Sequence, residues 1–185
     1  MRKIIGAAHL SLDGVMQGPG GPNEDTSNGF DLGGWSMEYP DEKSGAAIMG
    51  LLGTPAKPHD LLLGRKSCDI FASYWPHVPA DNRVGRVFTK ASKYVVTAGA
   101  VRLAWVNSYA LRTIDEIQRV KADDGADIVI GGSSTLYPQL LEAGLIDRLV
   151  LLTYPIALGK GKRLFGTTSH PVRMKLVNSE VARKA

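Results

Sequence analysis

The sequence predicts an α/β fold, a three-layer sandwich in which a mostly parallel sheet carries helices on both faces. Short apolar segments bounded by glycine and polar residues have the pattern of buried strands. Segments with apolar residues three and four positions apart, typical of helices, lie between them. Strands that alternate with helices are joined by right-handed crossovers, so they run parallel. Because no repeat or change of composition divides the 185 residues, we expect a single domain over residues 1–185.

The first elements are a strand, a long loop and a helix. Residues 3–10 are apolar between polar ends, which predicts a buried strand. Residues 14–34 are rich in Gly, Pro, Asn and Asp and form a loop, and loops of this length in compact domains are usually functional or disordered. Pro40 precedes residues 41–52, and the carboxylate of Asp41 suits the positive end of a helix dipole, so this segment is predicted as a helix.

The remaining elements follow from the same two patterns. Ile114, Ile117 and Val120, for example, have helical spacing. Helices are predicted at residues 65–74, 114–122 and 135–143, and strands at residues 60–64, 94–97, 104–106, 127–131, 148–153 and 174–177.

Composition excludes several classes of protein. Hydrophobic residues make up 44% and charged residues 22% of the chain, as in ordinary globular proteins, and no apolar window is long enough to span a bilayer. A single cysteine, Cys68, cannot form an internal disulfide, so we expect a cytoplasmic protein without a membrane partner. The net charge of +4 is mostly scattered and no nucleic-acid-binding motif occurs. We therefore expect a small phosphate-bearing ligand rather than a nucleic acid.

One junction between a strand and a helix has the residues of a phosphate site. The predicted strand ends at Gly64, and the following helix opens with Arg65, Lys66 and Ser67. Free N–H groups and the dipole of a helix N-terminus favour an anion, and the Arg65 guanidinium matches phosphate oxygens. Cations at this end of a helix are unfavourable unless an anion offsets them. Solvated first-turn cations are the alternative interpretation.

A second junction has the same character. Ile130 is followed by Gly131 and Gly132, and then by the hydroxyl-bearing residues 133–135 before a predicted helix. The two glycines allow a ligand to approach the backbone, although they are equally consistent with a simple turn and a capped helix. The segment matches neither a Walker loop nor a dinucleotide-binding G-x-G-x-x-G fingerprint.

These segments resemble dihydrofolate reductases. Residues 64–67 are similar to the Gly-Arg-x-Thr segment of that family, and residues 129–132 followed by Leu136 and Tyr137 are similar to its Gly-Gly segment. Residues 131–165, with Ser11-Leu12-Asp13-Gly14 after the first strand, resemble more closely the reductase domain of bifunctional riboflavin-biosynthesis deaminase-reductases. The resemblance covers nearly the whole chain and implies a dihydrofolate-reductase-like fold that binds NADPH.

The resemblance also implies roles for individual residues. Arg65, Lys66 and Ser67 would hold phosphates of NADPH, with Arg65 a candidate for the 2′-phosphate. The pyrophosphate would lie against Gly132, Ser133, Ser134 and Thr135, and the adenosine half against Val96 and Thr97. The nicotinamide would lie near Ala8, His9 and Val15. Further cofactor contacts are expected at Gly64, Ile130, Gly131 and Tyr137.

The substrate side is less defined in the sequence. Dihydrofolate reductases place a carboxylate in the body of the helix that corresponds to residues 41–52, but here the body has no acid and Asp41 stands at its start. Asp13 is the candidate catalytic residue for proton transfer, directly or through a bound water, and a loop-capping role is equally consistent with its position. His9, Trp35 and Asp41 are the candidate substrate-binding residues, although His9 and Trp35 also suit core packing.

The first hypothesis is therefore an NADPH-dependent reductase of a pteridine, a riboflavin-pathway pyrimidine or another small conjugated carbonyl or imine. The alternative is a non-catalytic NADPH-binding homodimeric protein, favoured by the missing helix acid. Relatives are often homodimers, and they continue into a closing antiparallel strand. The short end after Val177 predicts that this strand is absent or comes from a partner chain.

Overall fold

The computed structural model describes residues 1–99, 102–166 and 168–181. Its strands are β1 (Ile4–Ser11), β2 (Asp60–Gly64), β3 (Lys93–Val96), β4 (Ser108–Leu111), β5 (Ile128–Ile130) and β6 (Arg148–Tyr154). They form one sheet in the order β4-β3-β2-β5-β1-β6, and every strand pair in the described ranges is parallel. The predicted α/β class with a mostly parallel sheet is confirmed.

Five helices cover the two faces of this sheet. They are α1 (Glu42–Leu51), α2 (Arg65–Tyr74), α3 (Arg83–Lys90), α4 (Ile114–Ala122) and α5 (Leu136–Glu142). Apolar side chains of α1, α2 and α3 pack with Ile5, Leu61 and Val129 on one face. Those of α4 and α5 pack with Ile4 and Leu62 on the other. Alternate residues of each central strand therefore supply the two halves of the core.

The starts of the helices fall into two groups. Asp41, Asn82 and Thr113 cap α1, α3 and α4, because each side-chain oxygen accepts a hydrogen bond from a backbone N–H of the first turn. In contrast, α2 follows Gly64 and α5 follows Thr135 without a side-chain cap from either residue. The two helices that lack this cap are the ones at the predicted phosphate junctions.

Two of the predicted strands were wrong, and one helix was not predicted. Residues 104–106, predicted as a strand, form a loop, and the edge strand β4 begins later, at Ser108. Residues 174–177 carry no strand assignment, and the outer edge of β6 pairs with no strand of the described chain. Helix α3 was not predicted, although Asn82 and the spacing of Val84, Val87 and Phe88 are helical signals.

The predicted loop at residues 14–34 is folded back onto the domain. Phe30 and Trp35 are buried in a third apolar cluster with Tyr154, and the indole Nε1 of Trp35 donates to the carbonyl of Gln17 at 2.8 Å. Gln17 is itself buried, and its amide donates to the carbonyls of Asp25 and Ser27. Internal contacts thus give this segment a defined path beside the carboxyl end of the sheet.

Candidate functional site

The two predicted phosphate junctions lie in direct contact. Strands β2 and β5 are neighbours, and the N–H of Gly64 donates to the carbonyl of Gly132 at 3.4 Å. A Cβ atom added at Gly64 would lie 2.6 Å from Cβ of Ser133, and one at Gly132 would lie 3.1 Å from Oγ of Ser67. Gly132 also has a φ of 98°, which disfavours other residues. The glycines therefore let two helix starts meet at the carboxyl end of the sheet.

Arg65, the residue after Gly64, has one guanidinium donor without a hydrogen-bond partner in the described chain. Its Nε lies 2.9 Å from both carboxylate oxygens of Asp69, one helical turn later, and this carboxylate raises the pKa of the guanidinium. Its Nη1 is buried and has no hydrogen-bond partner within the described ranges. A buried donor without a partner is costly, so the position suits an incoming anion.

The other predicted phosphate residues line the same junction. Ser133 and Thr135 hydrogen-bond to each other through their hydroxyls at 2.7 Å, and residues 131–134 are partly exposed. Val96 lies opposite Gly64 in the β2–β3 register, and Thr97 follows it at the end of the strand. The structure therefore brings the residues predicted for the phosphates and for the adenosine half together at the carboxyl end of the sheet.

Four residues predicted for the cofactor side are core residues in the structure. Val15, Ile130 and Tyr137 have no exposed surface, and Ala8 is 4% exposed. The Tyr137 hydroxyl donates to the Ala7 carbonyl at 2.9 Å, and burial raises the pKa of this phenol. The side chains of Val15, Ile130 and Tyr137 thus pack within the core in this structure.

The candidate substrate-binding residues gather around Tyr154, at the end of β6. Nδ1 of His9 lies 2.7 Å from the Tyr154 hydroxyl, and the two rings are stacked. The indole of Trp35 meets the Tyr154 ring edge-on, with centroids 5.5 Å apart, and the ring of Tyr39 lies 5.8 Å away. Burial lowers the pKa of His9 and raises that of Tyr154, so both groups are neutral near pH 7.

The two candidate carboxylates hold the chain in place. Asp41 accepts from the N–H of Ser44 at 2.6 Å, so it is the cap of α1 and not an acid within the helix body. Asp13 accepts hydrogen bonds from the Ser11 hydroxyl and from the N–H groups of Leu158 and Gly159. These bonds, the Ser11 hydroxyl first, hold the pKa of Asp13 well below its usual range. The structure therefore gives Asp13 a structural role, in which it joins the loop after β1 to residues 158–159.

Two residues near the candidate site, Tyr154 and Asp25, were not predicted from the sequence. Tyr154 joins the substrate-side candidates, and its signal was its position at the carboxyl end of a strand. Asp25 lies within the glycine-rich loop and contacts Lys66 of α2, 41 positions away. No local pattern in the sequence predicts the contact between Asp25 and Lys66.

Other chemistry finds no support in the described ranges. No cluster of His, Cys, Asp and Glu there could hold a metal ion. Cys68 is buried, and burial raises the pKa of its thiol, which suits a structural cysteine. Within the same ranges, no helix has the length and apolar character required to cross a bilayer.

Comparison with known proteins extends the resemblance to the whole chain. A family model described as the RibD C-terminal domain matches residues 2–184. The YyaP protein of Bacillus subtilis (strain 168), itself uncharacterized, is 25% identical over an alignment of 185 positions. The alignment covers 96% of this chain and 88% of the relative.

Two solved structures are similar in fold. A protein of Shewanella sp. PV-4 assigned to riboflavin biosynthesis superposes with a TM-score of 0.68 at 21% identity, over 97% of this chain and 92% of its own. The dihydrofolate reductase of Enterococcus faecalis, in complex with NADP(H) and RAB-propyl, superposes with a TM-score of 0.56 at 15% identity, over 90% and 79% of the two chains. At these identities the likeness shows a shared fold.

Proposed function

The chain belongs to the RibD C-terminal domain family, and from this membership we propose that it is an NADPH-dependent reductase of a small, flat heterocyclic substrate. The observation that carries the proposal is the contact between the two glycine junctions, at the start of the helix that begins with Arg65. The E. faecalis reductase of similar fold was solved with NADP(H), which supports a nicotinamide cofactor here.

The residues present fit a cofactor with several phosphates. Two helix starts without side-chain caps from Gly64 and Thr135 meet at the junction, and a Cβ on Gly64 or Gly132 would close the space between them. Arg65 and Lys66 supply charge-assisted donors, and Ser67 a hydroxyl. In this proposal the guanidinium of Arg65, whose side chain is 35% exposed, binds the 2′-phosphate, which is the group that distinguishes NADPH from NADH.

The bound cofactor would supply a hydride, and the chain would orient the substrate and exclude water. His9 and Tyr154 lie at the carboxyl ends of the adjacent strands β1 and β6, where open α/β sheets bind ligands. In the proposal the neutral His9–Tyr154 pair hydrogen-bonds the substrate, and Trp35 supports the Tyr154 ring. Because Asp13 is held ionised, we assign the delivery of the proton to a bound water.

The family and the ring cluster support the proposed substrate class. A pteridine or a pyrimidine of riboflavin biosynthesis has the flat, conjugated carbonyl or imine that a nicotinamide hydride reduces. The second candidate function is an NADPH-binding homodimeric protein without turnover. It is favoured by α1, whose body has no carboxylate and whose Asp41 serves as a cap. Oxidation of NADPH with a panel of pterins and pyrimidines distinguishes the two.

The first test is binding of NADPH and NADH, followed by quenching of tryptophan fluorescence, in the wild-type protein and in Arg65→Ala. We expect NADPH to bind more tightly than NADH. Loss of one charge-assisted phosphate contact should weaken NADPH about tenfold to a hundredfold. NADH should weaken much less, because it lacks the 2′-phosphate.

Arg119→Ala is the matched control. Arg119 is an exposed arginine of α4, on the opposite face of the sheet from α2, so this variant makes the same change of charge away from the junction. We expect its affinity for both nucleotides to equal that of the wild type. If neither nucleotide binds the wild-type protein, the proposed function is wrong and the chain shares only the fold.

A further inference from the structure

The largest charge cluster in the described chain is centred on Asp25, in the loop beside α2. Lys66 Nζ lies 2.5 Å from one carboxylate oxygen of Asp25, and Lys162 Nζ lies 2.7 Å from the other. The hydroxyl and the N–H of Ser27 donate to the first of these oxygens at 2.6 and 3.1 Å. The Asp25 side chain is 16% exposed, so this carboxylate is largely removed from water.

The cluster fixes the loop against the start of α2. Lys162 also donates to the Ser27 hydroxyl at 2.6 Å, and its N–H donates to the side-chain carbonyl of Gln17. The Gln17 amide in turn holds the carbonyls of Asp25 and Ser27. A break at Asp25 would therefore release the loop from Lys66, while the bonds of Gln17 to the loop carbonyls and the core contacts of Phe30 would remain.

Both cations of the first turn of α2 are paired with acids in this state. Arg65 contacts Asp69 of its own helix, and Lys66 contacts Asp25 of the loop. Burial by itself would raise the pKa of Asp25, but Lys162, Lys66 and Ser27 hold it well below its usual range, so the carboxylate stays charged. A phosphate that approaches this helix start must therefore compete with one negative charge already bound to Lys66.

We infer that Asp25 is a displaceable latch, which occupies with its carboxylate the place of a phosphate oxygen at Lys66 and ties the loop over the junction until a phosphate ligand takes its place. The inference rests on the proposed function for the identity of the ligand. It adds that binding of a phosphate ligand and detachment of the Asp25 segment from Lys66 are one coupled equilibrium. By linkage, loosening the loop must then raise the affinity for the ligand.

The test is Asp25→Asn, which keeps the shape and removes the charge. Two probes are titrated, NADPH by fluorescence and inorganic pyrophosphate by calorimetry. We expect both to bind about fivefold or more tightly to the variant than to the wild type. Hydrogen exchange of residues 17–29 is the second readout. It should be faster in the variant without ligand, and NADPH should accelerate it in the wild type.

Asp31→Asn is the matched control. Asp31 lies in the same loop and pairs with Lys160 at 2.7 Å, but its side chain is 68% exposed and it does not contact Lys66. This variant should bind both probes like the wild type. In addition, the gain from Asp25→Asn should vanish in the background of Lys66→Met, because the latch acts through Lys66. If Asp25→Asn does not fold, Asp25→Ser makes the same removal of charge.

The outcomes separate the latch from the cofactor proposal. Unchanged or weaker binding of both probes by Asp25→Asn overturns the latch, since Asp25 would then orient Lys66 for its ligand. If NADPH binds neither protein but pyrophosphate binds the variant more tightly, the latch stands and the proposed cofactor is wrong. If neither probe binds either protein, both inferences fail.

Discussion

Lys93 begins β3 with a side chain that has no exposed surface. Its Nζ lies 3.0 Å from the carbonyl oxygen of Val106 and 3.4 Å from that of Thr89, and 4.5 Å from the centre of the Trp105 ring. No carboxylate forms an ion pair with it in the described ranges. Burial of the charged form lowers the pKa of Lys93 to about 8. The residue is thus a source of pH-dependent stability.

We expect the free energy of unfolding to rise between pH 8 and 10.5. In that range the folded chain has released the Lys93 proton while the unfolded chain, with the ordinary pKa of 10.5, retains it. The unfolded state therefore binds more protons, and the rise should be on the order of 3 kcal/mol. Below pH 8 both states are protonated and the cost of burial is fully present.

Lys93→Met is the comparison that isolates this residue. Urea unfolding at several pH values should give a smaller rise for the variant than for the wild type, with the difference confined to pH 8–10.5. Parallel curves for the two proteins would show that Lys93 does not titrate in this way.

At the scale of elements, β1 and α5 approach each other closely at Gly6. A Cβ atom there would lie 2.5 Å from Cδ2 of Leu149 and 2.8 Å from Cε1 of Tyr137. Gly6→Ala should therefore lower the free energy of unfolding by about 1–3 kcal/mol through overpacking.

Gly45 of α1 has nothing within 4 Å of an added Cβ. Gly45→Ala should instead raise stability by about 0.5–1 kcal/mol, because alanine favours the helix. Urea denaturation measures both, and equal effects of the two would refute this account.

Elements differed in how clearly the sequence showed them. The central strands β1, β2 and β5 were predicted because both of their faces are buried, which requires an apolar run. The edge strand β4 was misplaced because three of its four residues are partly or fully exposed, and backbone pairing with β3 defines it. The nearby apolar Trp105 is buried as a loop residue instead, against Lys93 and Phe88.

The candidate site shows the same division. The glycine junctions were predicted because a close approach of two backbones leaves no room for a Cβ atom. The sequence meets this requirement with glycine at positions 64 and 132. The latch between Asp25 and Lys66 and the pair of His9 with Tyr154 join residues far apart in the chain. Many acids and rings in the sequence have the same local surroundings, so only the folded structure selects these partners.

At the scale of the whole molecule, the topology puts both parts of the candidate site at the carboxyl end of the sheet. Ends of β2 and β5 form the phosphate junction, and ends of β1 and β6 carry His9 and Tyr154. Because β1 lies between β5 and β6, an elongated ligand bound at the junction can reach the ring cluster across one strand. This arrangement brings residues from both ends of the chain to one candidate site.

The same topology leaves β6 at the edge of the sheet, and this predicts its hydrogen exchange. Alternate residues of an edge strand direct their N–H groups toward the neighbouring strand, and those between direct them outward. Only one side of β6 is paired, with β1, in the described ranges, and Met174 and Leu176 of the following segment are 52% and 81% exposed. Alternate amides of residues 148–154 should therefore exchange quickly, whereas those of β5 should be uniformly slow.

Amide-resolved exchange at high and low protein concentration, with light scattering as a parallel measure of mass, tests this expectation. Fast alternate exchange at both concentrations agrees with a free edge. Slow exchange of all β6 amides that becomes fast on dilution would show that a second copy covers the edge, as expected for a homodimer. Slow exchange at every concentration with the mass of one chain would mean that residues 172–181 pair with β6 in solution, and the free edge would be wrong.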